Sequence, residues 1–297
     1  MSDITVILPI YQLAGRGLER VDRSLYSIAC NPAIPPVIVM DGSQPDQFAA
    51  VEAITARYPF VQHVAWPLQR FNMPVLFNRG IDRAETPYLF CTGADFLYRR
   101  DFFQRLAAEM TPDRFVIAPV RMLPRCDVSE AMVATWSFPP THANAFGQWA
   151  DGLQCFHRSW YGRAGGYDER MAGWGGMDND HHFRARRAGL DCRWLQGSEV
   201  LHIWHETEKA SGPDRAEKQR QSRLNWRLRD TDKTIRRNQT TVREIRYPAG
   251  GGPAARVLVK DPAEEVQAHW MQGNFYETQR HGLLNVLHQR CRGGTFV

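Results

Sequence analysis

Residues 173–189, GWGGMDNDHHFRARRAG, bring an aromatic ring, bare backbone and carboxylates within a few positions of one another. Trp174 lies between two glycines, and Asp178 and Asp180 follow it closely. An aromatic face can stack on a ligand, and a carboxylate can accept a proton as a general base. Further along the chain, HIWH at residues 202–205 adds two histidines, so both segments are candidates for a functional site.

Two acidic residues lie at the ends of apolar runs elsewhere in the chain. Asp41 closes the run VIVMD, and Asp95 follows YLFC in the segment PYLFCTGADF. In open parallel sheets the ligand lies beyond the carboxyl ends of the strands, where both acids are expected. Asp41 and Asp95 are therefore candidate ligand contacts.

The elements that must position these residues alternate between strand and helix patterns. The run ITVILPIY is predicted to be a buried parallel strand ended by Pro9, and VIVMD a second one. Between them, apolar residues recur at helical spacing until a Pro-rich break. Further helices are predicted at 46–58 and 73–84, a further strand at 61–66, and a strand that runs into a turn at 87–96. The pattern predicts an α/β fold with a mostly parallel sheet flanked by helices.

The second half of the chain is less regular. Residues 121–150 show no clean period and are predicted to be an irregular excursion over a site. Residues 214–230 predict a basic helix, and the glycines and prolines of 247–257 predict a linker with a boundary near 248–254.

Composition limits the class of protein. The chain has 297 residues, of which 43% are apolar, enough for a substantial core. Because it lacks a long apolar run, a signal-peptide pattern and any CxxC pair, we expect a cytoplasmic protein without a disulfide framework. Most of the net charge of +5 arises in residues 214–246, with eleven Lys/Arg and five Asp/Glu. This segment is interpreted as a solvated helix, with peripheral contact to the inner membrane as the alternative and nucleic acid disfavoured.

The order of these segments resembles inverting glycosyltransferases of family 2, which have the GT-A fold, with a C-terminal half like that of galactosyltransferases. The segments that carry the resemblance are VILPIY, VIVMDGS, FNRG, GAD and GWGGMD, within residues 4–205. It implies a GT-A-like, Rossmann-like sheet with a helical C-terminal extension.

Position by position, the resemblance implies that Asp41 contacts the nucleotide base and Asn78 lines the nucleotide pocket. Asp95 corresponds to the second acid of an Asp-x-Asp turn. Two positions depart from the family pattern, since Phe77 stands where an Arg often precedes the Asn, and Gly93 replaces the first acid. Because this first acid is missing, the resemblance does not identify the residue that contacts the ribose of the nucleotide.

The resemblance also implies a divalent cation, Mn²⁺ or Mg²⁺, bound by Asp95, His202 and His205. Such a cation neutralises the diphosphate as the sugar–phosphate bond breaks, and imidazole ligands favour Mn²⁺. Residues three apart point to opposite faces of a strand, so HIWH must bend for both histidines to reach one ion. The alternative is that His202 ends a strand and His205 faces solvent.

For the acceptor, the resemblance implies a platform of Trp174 with Gly175 and Gly176, whose bare backbone lets the sugar approach. Asp178 would be the catalytic base, and Asp180 either contacts an acceptor hydroxyl or is structural. Alternatively, Asp178 is the N-cap of a helix ending at Gly189, which is compatible with catalysis because the helix dipole favours its anionic form.

One further position departs from the family pattern: Met177 stands where the family usually has a Glu before the catalytic Asp. The change removes one hydrogen bond to the acceptor sugar, and the resemblance does not identify which sugar is bound.

These inferences predict an inverting, metal-dependent enzyme that moves a sugar from a UDP-linked nucleotide donor to an acceptor hydroxyl in glycan or polysaccharide synthesis. The predicted domains are a GT-A-like domain at 1–209, a basic helical extension at 210–247, and a linker with the edge of a second domain at 248–297. Two alternatives stay open: a non-catalytic module that binds glycan or nucleotide sugar, and a metal-dependent hydrolase.

The last residues, 269–297, resemble the entry to FkbM-type methyltransferase domains, but without the Gly-rich cofactor loop. We therefore expect the full protein to continue into a covalently linked C-terminal domain, and expect no methyl-donor site in this chain.

Overall fold

The computed structural model describes residues 2–13, 15–143, 152–206 and 215–238, together with short strands at 243–244 and 256–257. The chain forms two compact units, Met1–Ile235 and Arg236–Val297. In the second unit, Arg243–Glu244 pairs with Arg256–Val257 as an antiparallel ribbon. The tail with the FkbM-type resemblance, 269–297, lies outside the described residues and stays a prediction.

The first unit contains two sheets. In chain order the strands are β1 (Ile4–Ile10), β2 (Val37–Asp41), β3 (Val61–Ala65), β4 (Tyr88–Cys91), β5 (Phe96–Tyr98), β6 (Arg114–Ile117), β7 (Val120–Met122), β8 (His142–Ala143), β9 (Gln154–His157), β10 (Asp191–Trp194) and β11 (Val200–His202). The large sheet has the order β10-β6-β9-β4-β1-β2-β3, and the small one has the order β5-β11-β7-β8.

The α-helices of this unit flank the large sheet. They are α1 (Arg16–Ala29), α2 (Phe48–Thr55), α3 (Met73–Arg83), α4 (Phe102–Glu109), α5 (Glu130–Thr135), α6 (Arg158–Ala164), α7 (Met177–Arg187) and α8 (Arg215–Thr231). Across the described residues, these helices are too short or too polar for any to cross a membrane.

The large sheet is mostly parallel and has helices on both faces, as the sequence predicts. Val21, Leu25 and Ile28 of α1 join a core with alternate residues of β1. On the other face α3 lies so close that a Cβ at Gly80 would be 2.5 Å from Ile7. Every residue of β1 is buried, which is why its sequence is a continuous apolar run.

Two predicted features of the sequence are wrong. Pro9 does not end β1: it lies inside the strand opposite Met40, because β1 stays paired with β2 up to Ile10, although its pairing with β4 ends at Ile7. The predicted irregular excursion over 121–150 is not wholly irregular, since residues 121–143 contain most of β7 and all of α5 and β8, while residues 144–150 lie outside the described residues. Ser129 caps α5 by accepting a hydrogen bond from the Met132 amide.

Strand β9 is the antiparallel member of the large sheet and lies between β4 and β6. Its first residue, Gln154, is opposite Cys91 and Ile117, the last residues of those two strands. Gln154 therefore lies at the carboxyl edge of the parallel strands.

Helix α8 is part of the first compact unit, which ends at Ile235. The predicted domain limits at 209/210 and 247/248 stay predictions, and the predicted linker boundary near 248–254 lies outside the described residues. The helix is basic, as predicted, yet Gln221, Asn225 and Leu228 form a buried stripe along one side. Asn225 donates a hydrogen bond to the Ala172 carbonyl at 2.9 Å. The helix is therefore packed on the segment before α7 rather than surrounded by solvent.

Candidate active site

Three acidic residues predicted from the sequence lie at one edge of the large sheet. Asp41 is the last residue of β2, and Asp95 follows the end of β4. Asp178 reaches the same edge because its carbonyl oxygen accepts a hydrogen bond from Gln154 Nε2 at 2.8 Å. This edge is where parallel sheets bind ligands.

Asp95 forms a compact cluster with the two histidines of HIWH. Asp95 Oδ2 lies 2.9 Å from His205 Nε2 and 3.3 Å from His202 Nε2. One potential ligand atom from each residue lies within 4.8 Å of the others. The three residues predicted to bind a metal therefore meet in space.

The local fold explains how residues so distant in sequence come together. Strand β11 pairs antiparallel with β5, which places His202 opposite Phe96, the residue after Asp95. The chain then leaves the strand, and the Ile203 amide donates to the Asp95 carbonyl at 2.9 Å. The bend that the sequence requires is thus present, and it brings His205 to the same carboxylate.

The hydrogen bonds of His205 fit a cation ligand. His205 Nδ1 lies 3.0 Å from the Glu206 carbonyl oxygen, so Nδ1 carries a proton and donates it there. In a neutral ring, the Nε2 lone pair would then face the Asp95 carboxylate at 2.9 Å. Two electron pairs this close require a positive centre, which a proton or a metal cation supplies.

The charges at the cluster agree with this description. The hydrogen bond to Asp95, opposed by burial, raises the pKa of His205 above its ordinary value. Burial acts to raise the pKa of Asp95, but His202 and His205 outweigh it and hold that pKa well below its usual range. Asp95 is therefore an anion throughout the neutral pH range, as a metal ligand must be.

The turn before Asp95 is built for glycine at position 93. A Cβ there would lie 2.8 Å from the Phe96 ring and 2.9 Å from Asp95 Oδ1. An acid at position 93 would require the Phe96 ring to move. The packing of this turn therefore favours glycine over the first acid of the Asp-x-Asp pattern.

Asp41 and Asn78, predicted to contact the nucleotide, use their polar atoms within the protein. Asp41 is fully buried, accepts a hydrogen bond from the Ser43 amide, and lies 3.1 Å from His63 Nε2. The Asn78 amide bonds both backbone groups of Tyr167 and, at 2.9 Å, the Glu169 carboxylate. The hydrogen bonds of both residues therefore hold neighbouring segments together at this edge of the sheet. Their contacts with a nucleotide stay predictions.

Trp174, predicted as the acceptor platform, is a large exposed apolar side chain, with 45% of its surface accessible. Gly175 and Gly176, predicted to let an acceptor sugar approach, lie against α8. A Cβ at Gly175 would lie 3.0 Å from Ser222 Oγ, and one at Gly176 would lie 3.1 Å from the Asn225 backbone. Both glycines have positive φ, so these positions need glycine because the loop turns tightly against α8.

Asp178 lies in the first turn of α7 rather than at its N-cap. The helix begins at Met177, with Gly176 as the capping residue, so the predicted N-cap role of Asp178 is wrong. The Asp178 carboxylate is half-buried, and Oδ2 lies 3.5 Å from where a Cβ on Gly152 would be. The helix dipole at this position favours the anionic form that a general base needs.

Asp180, predicted as an acceptor contact or a structural residue, has no exposed surface. Its Oδ2 accepts a hydrogen bond from Arg184 Nε at 2.7 Å, and Arg184 is also fully buried. The guanidinium further donates to the carbonyls of Ala164, Gly166 and Ile235. The acceptor-contact prediction is therefore not supported, because this carboxylate joins α7 to the surrounding loops.

We expect Asp180→Asn to lower the free energy of unfolding by about 3–5 kcal/mol, since it leaves the Arg184 charge buried without its carboxylate. Urea denaturation measures the change. The matched control is Asp101→Asn, which breaks the half-exposed pair of the same i,i+4 spacing with Arg105 and should cost about 1 kcal/mol or less. Equal costs for the two variants would contradict the structural role of Asp180.

Sequence reasoning missed a buried network behind Asp178. Trp160 Nε1 donates to His181 Nε2 at 2.9 Å, and His181 Nδ1 lies 2.9 Å from Gln154 Oε1. Tyr167 also donates to Gln154 Oε1, at 2.8 Å. Because His181 Nε2 accepts, Nδ1 must carry the proton, so the imidazole is neutral. A glutamine and a histidine inside apolar or basic segments carry no periodic signal that would have identified them.

This network predicts a pH dependence of stability. Burial, with contributions from Arg184 and His182, lowers the pKa of His181 well below its ordinary value of 6.5. Below about pH 6.5 the unfolded chain therefore binds a proton that the folded chain does not, and stability falls as pH falls, by up to about 1.4 kcal/mol per pH unit. Above that pH, His181 is neutral in both the folded and the unfolded chain, so its protonation no longer changes the free energy of unfolding.

Urea denaturation between pH 5 and 8 tests this dependence in the wild type and His181→Gln, which should lose less stability on acidification. His142→Gln, at an exposed histidine, is the control and should follow the wild type. Parallel curves for wild type and His181→Gln would contradict the assignment.

Comparison with known proteins agrees with this geometry. A family model described as the N-terminal domain of galactosyltransferase matches residues 134–206, which include Trp174, Asp178 and both histidines of the cluster. Chondroitin sulfate synthase 3 of Mus musculus is 26% identical over 171 residues, covering 52% of this chain and 18% of the mouse protein. The Homo sapiens protein is 30% identical over 129 residues, covering 41% and 14%. The chain thus spans less than a fifth of the length of these relatives.

A solved structure shows the fold. The crystal structure of GalNAc-T7 with UDP, GalNAc and Mn²⁺ superposes with a TM-score of 0.53 at 12% identity, over 71% of this chain and 45% of that chain. The first unit therefore has the predicted GT-A fold, and the chain contains a glycosyltransferase-like domain.

Proposed function

We propose that this chain is an inverting glycosyltransferase that transfers a sugar from a UDP-linked donor to an acceptor hydroxyl. The observation that carries the proposal is the position of the Asp95, His202 and His205 cluster at the same sheet edge as Asp178. A site for a nucleotide diphosphate and a candidate base beside it are the two parts that such a reaction requires.

In this proposal the reaction is a single displacement. The acceptor hydroxyl oxygen attacks the anomeric carbon while the bond to the nucleoside diphosphate breaks, and the bonding electrons leave on the diphosphate oxygen. The hydroxyl proton passes to the Asp178 carboxylate. Attack from the face opposite the leaving group inverts the anomeric configuration, and the exposed ring of Trp174 offers a stacking surface for the acceptor sugar.

Asp95, His202 and His205 would hold a divalent cation, for which their carboxylate and imidazole donors favour Mn²⁺ over Mg²⁺. When bound, it supplies positive charge that stabilises the departing diphosphate. The UDP and Mn²⁺ named for the GalNAc-T7 crystal support this choice of donor and metal, and the synthase names of the curated relatives support a role in glycan synthesis. We place the activity in glycan or polysaccharide synthesis in the cytoplasm, with the basic α8 available for peripheral contact with the inner membrane.

A panel of UDP-sugars tests the proposal by thermal shift with and without Mn²⁺, followed by measurement of UDP release. A ligand at 100 times its Kd stabilises the folded state by about 2.7 kcal/mol, which is readily detected. We expect one donor to raise Tm in the presence of Mn²⁺ and to be hydrolysed slowly, with both effects lost in Asp95→Ala. NMR of the transferred sugar then reports inversion or retention.

The same panel of UDP-sugars, together with a calorimetric titration with UDP, separates the proposal from its two alternatives. A non-catalytic module would bind the nucleotide sugar or a glycan without releasing UDP. A metal-dependent hydrolase would show no affinity for UDP in calorimetry. Either result would contradict the proposal.

A further inference from the structure

Gln154 connects the centre of the large sheet to the helix that carries Asp178. Its side chain is fully buried, and it belongs to β9, between β4 and β6. Its Nε2 donates to the Asp178 carbonyl at 2.8 Å, while Oε1 accepts from Tyr167 and His181. One amide thus joins a rigid strand to the first turn of α7.

The orientation of this amide is determined by its partners. The two donors at Oε1 leave Nε2 directed to the carbonyl of Asp178. A reversed amide would place its NH₂ group against the Tyr167 hydroxyl and the His181 N–H, and its oxygen against a carbonyl oxygen. The hydrogen bonds to His181 and to the Asp178 carbonyl would be lost, and only the Tyr167 hydroxyl, which can also accept, would keep a partner. The amide therefore has one favoured orientation between the network and α7.

The backbone that leads into α7 needs such a fixed point. Gly173, Gly175 and Gly176 all have positive φ, between +71° and +96°, and glycine is the residue with the greatest conformational freedom. Without a link to the sheet, the position of the first turn would depend mainly on this glycine loop and on α8.

We propose that Gln154 is a positioning residue that fixes Asp178 relative to the acceptor hydroxyl. The inference rests on the proposed function, because it assigns Gln154 to the reaction in which Asp178 is the base. It does not require Gln154 to touch substrate. A base displaced by about 1 Å can lose about 100-fold in rate, so a hydrogen bond that holds the helix start has a measurable effect on turnover.

Steady-state kinetics of Gln154→Glu provide the test. Measured at a pH at which its carboxylate is ionised, this variant keeps an acceptor for Tyr167 and His181 but has no donor for the Asp178 carbonyl. We expect kcat to fall about 10- to 100-fold, with donor KM and the Kd of UDP unchanged. Gln154→Met, of similar length and without an amide, should give the same result and replaces the Glu variant if its buried carboxylate prevents folding.

Tyr58→Phe is the matched control, since it removes a buried tyrosine hydroxyl that donates to Asp22, outside the network of Gln154. We expect its kcat within about threefold of the wild type when expressed per UDP-binding molecule. If Gln154 only stabilises the fold, its variants will lower Tm while kcat per UDP-binding molecule stays at the wild-type value, which would overturn the proposal. Absence of turnover in the wild type with every donor would overturn the proposed function, and this inference with it.

Discussion

Asp178→Asn should lower kcat by about 10²- to 10⁴-fold, the range associated with loss of a positioned general base. Asparagine has the same shape as aspartate but cannot accept the hydroxyl proton. Donor KM and Mn²⁺ affinity should stay unchanged, because the Asp178 side chain is not part of the Asp95 cluster. The change is therefore expected in turnover alone.

Controls for this prediction separate chemistry from folding. Asp178 lies in the first turn of α7, where removal of a negative charge costs about 0.3–1 kcal/mol, too little to unfold the protein. Asp113→Asn, an exposed acid before β6 at the opposite edge of the sheet, should retain full activity. If Asp178→Asn keeps kcat within a few-fold of the wild type, another group must accept the proton, and the assignment of the base fails.

The fold was predictable because its signals are local. Each buried parallel strand is a short apolar run such as Ile4–Ile10, and α1 carries its buried residues at helical spacing. The bend of HIWH was also predictable, since two histidines three positions apart can share one partner only outside a strand. These features depend on residues adjacent in sequence.

The features that were missed depend on partners that are distant in sequence. The buried stripe of α8 includes Gln221 and Asn225, polar residues that hydrogen-bond to each other and to the segment before α7. A hydropathy pattern treats such a stripe as solvated, which is why the extension was predicted to be separate. In the same way, the close approach of Gly176 to the α8 backbone has no local signal in the sequence, and its acceptor contact stays a prediction.

The resemblance to a family assigned roles by position, and the structure shows where position is insufficient. Asp180 matched a segment associated with acceptor binding, yet it is buried against Arg184. Gln154 belongs to none of the motifs that carry the resemblance, yet it donates a hydrogen bond to the backbone carbonyl of the residue assigned as the base. Burial and hydrogen-bond partners, which a motif does not record, distinguish these two cases.

Asp95→Ala should abolish Mn²⁺ binding and turnover together. Asp95 Oδ2 is the atom shared by both histidines, so its removal leaves two imidazoles without the anionic ligand between them. Loss of a residue that merely orients a metal ligand costs about 10- to 100-fold in affinity. Loss of the carboxylate ligand should therefore raise the Kd for Mn²⁺ by about 100-fold or more, as measured by calorimetry on protein stripped of metal.

The histidines make this prediction specific. His205→Ala should also weaken Mn²⁺ binding, because His205 Nε2 is held toward Asp95 by the hydrogen bond from Nδ1 to the Glu206 carbonyl. Asp113→Ala removes a carboxylate at the opposite edge and should leave the Kd unchanged. Mn²⁺ binding that survives Asp95→Ala with the wild-type Kd would place the ion elsewhere. The close contact of Asp95 with the two imidazoles would then be an ion pair within the fold, stabilised by protons rather than by a metal.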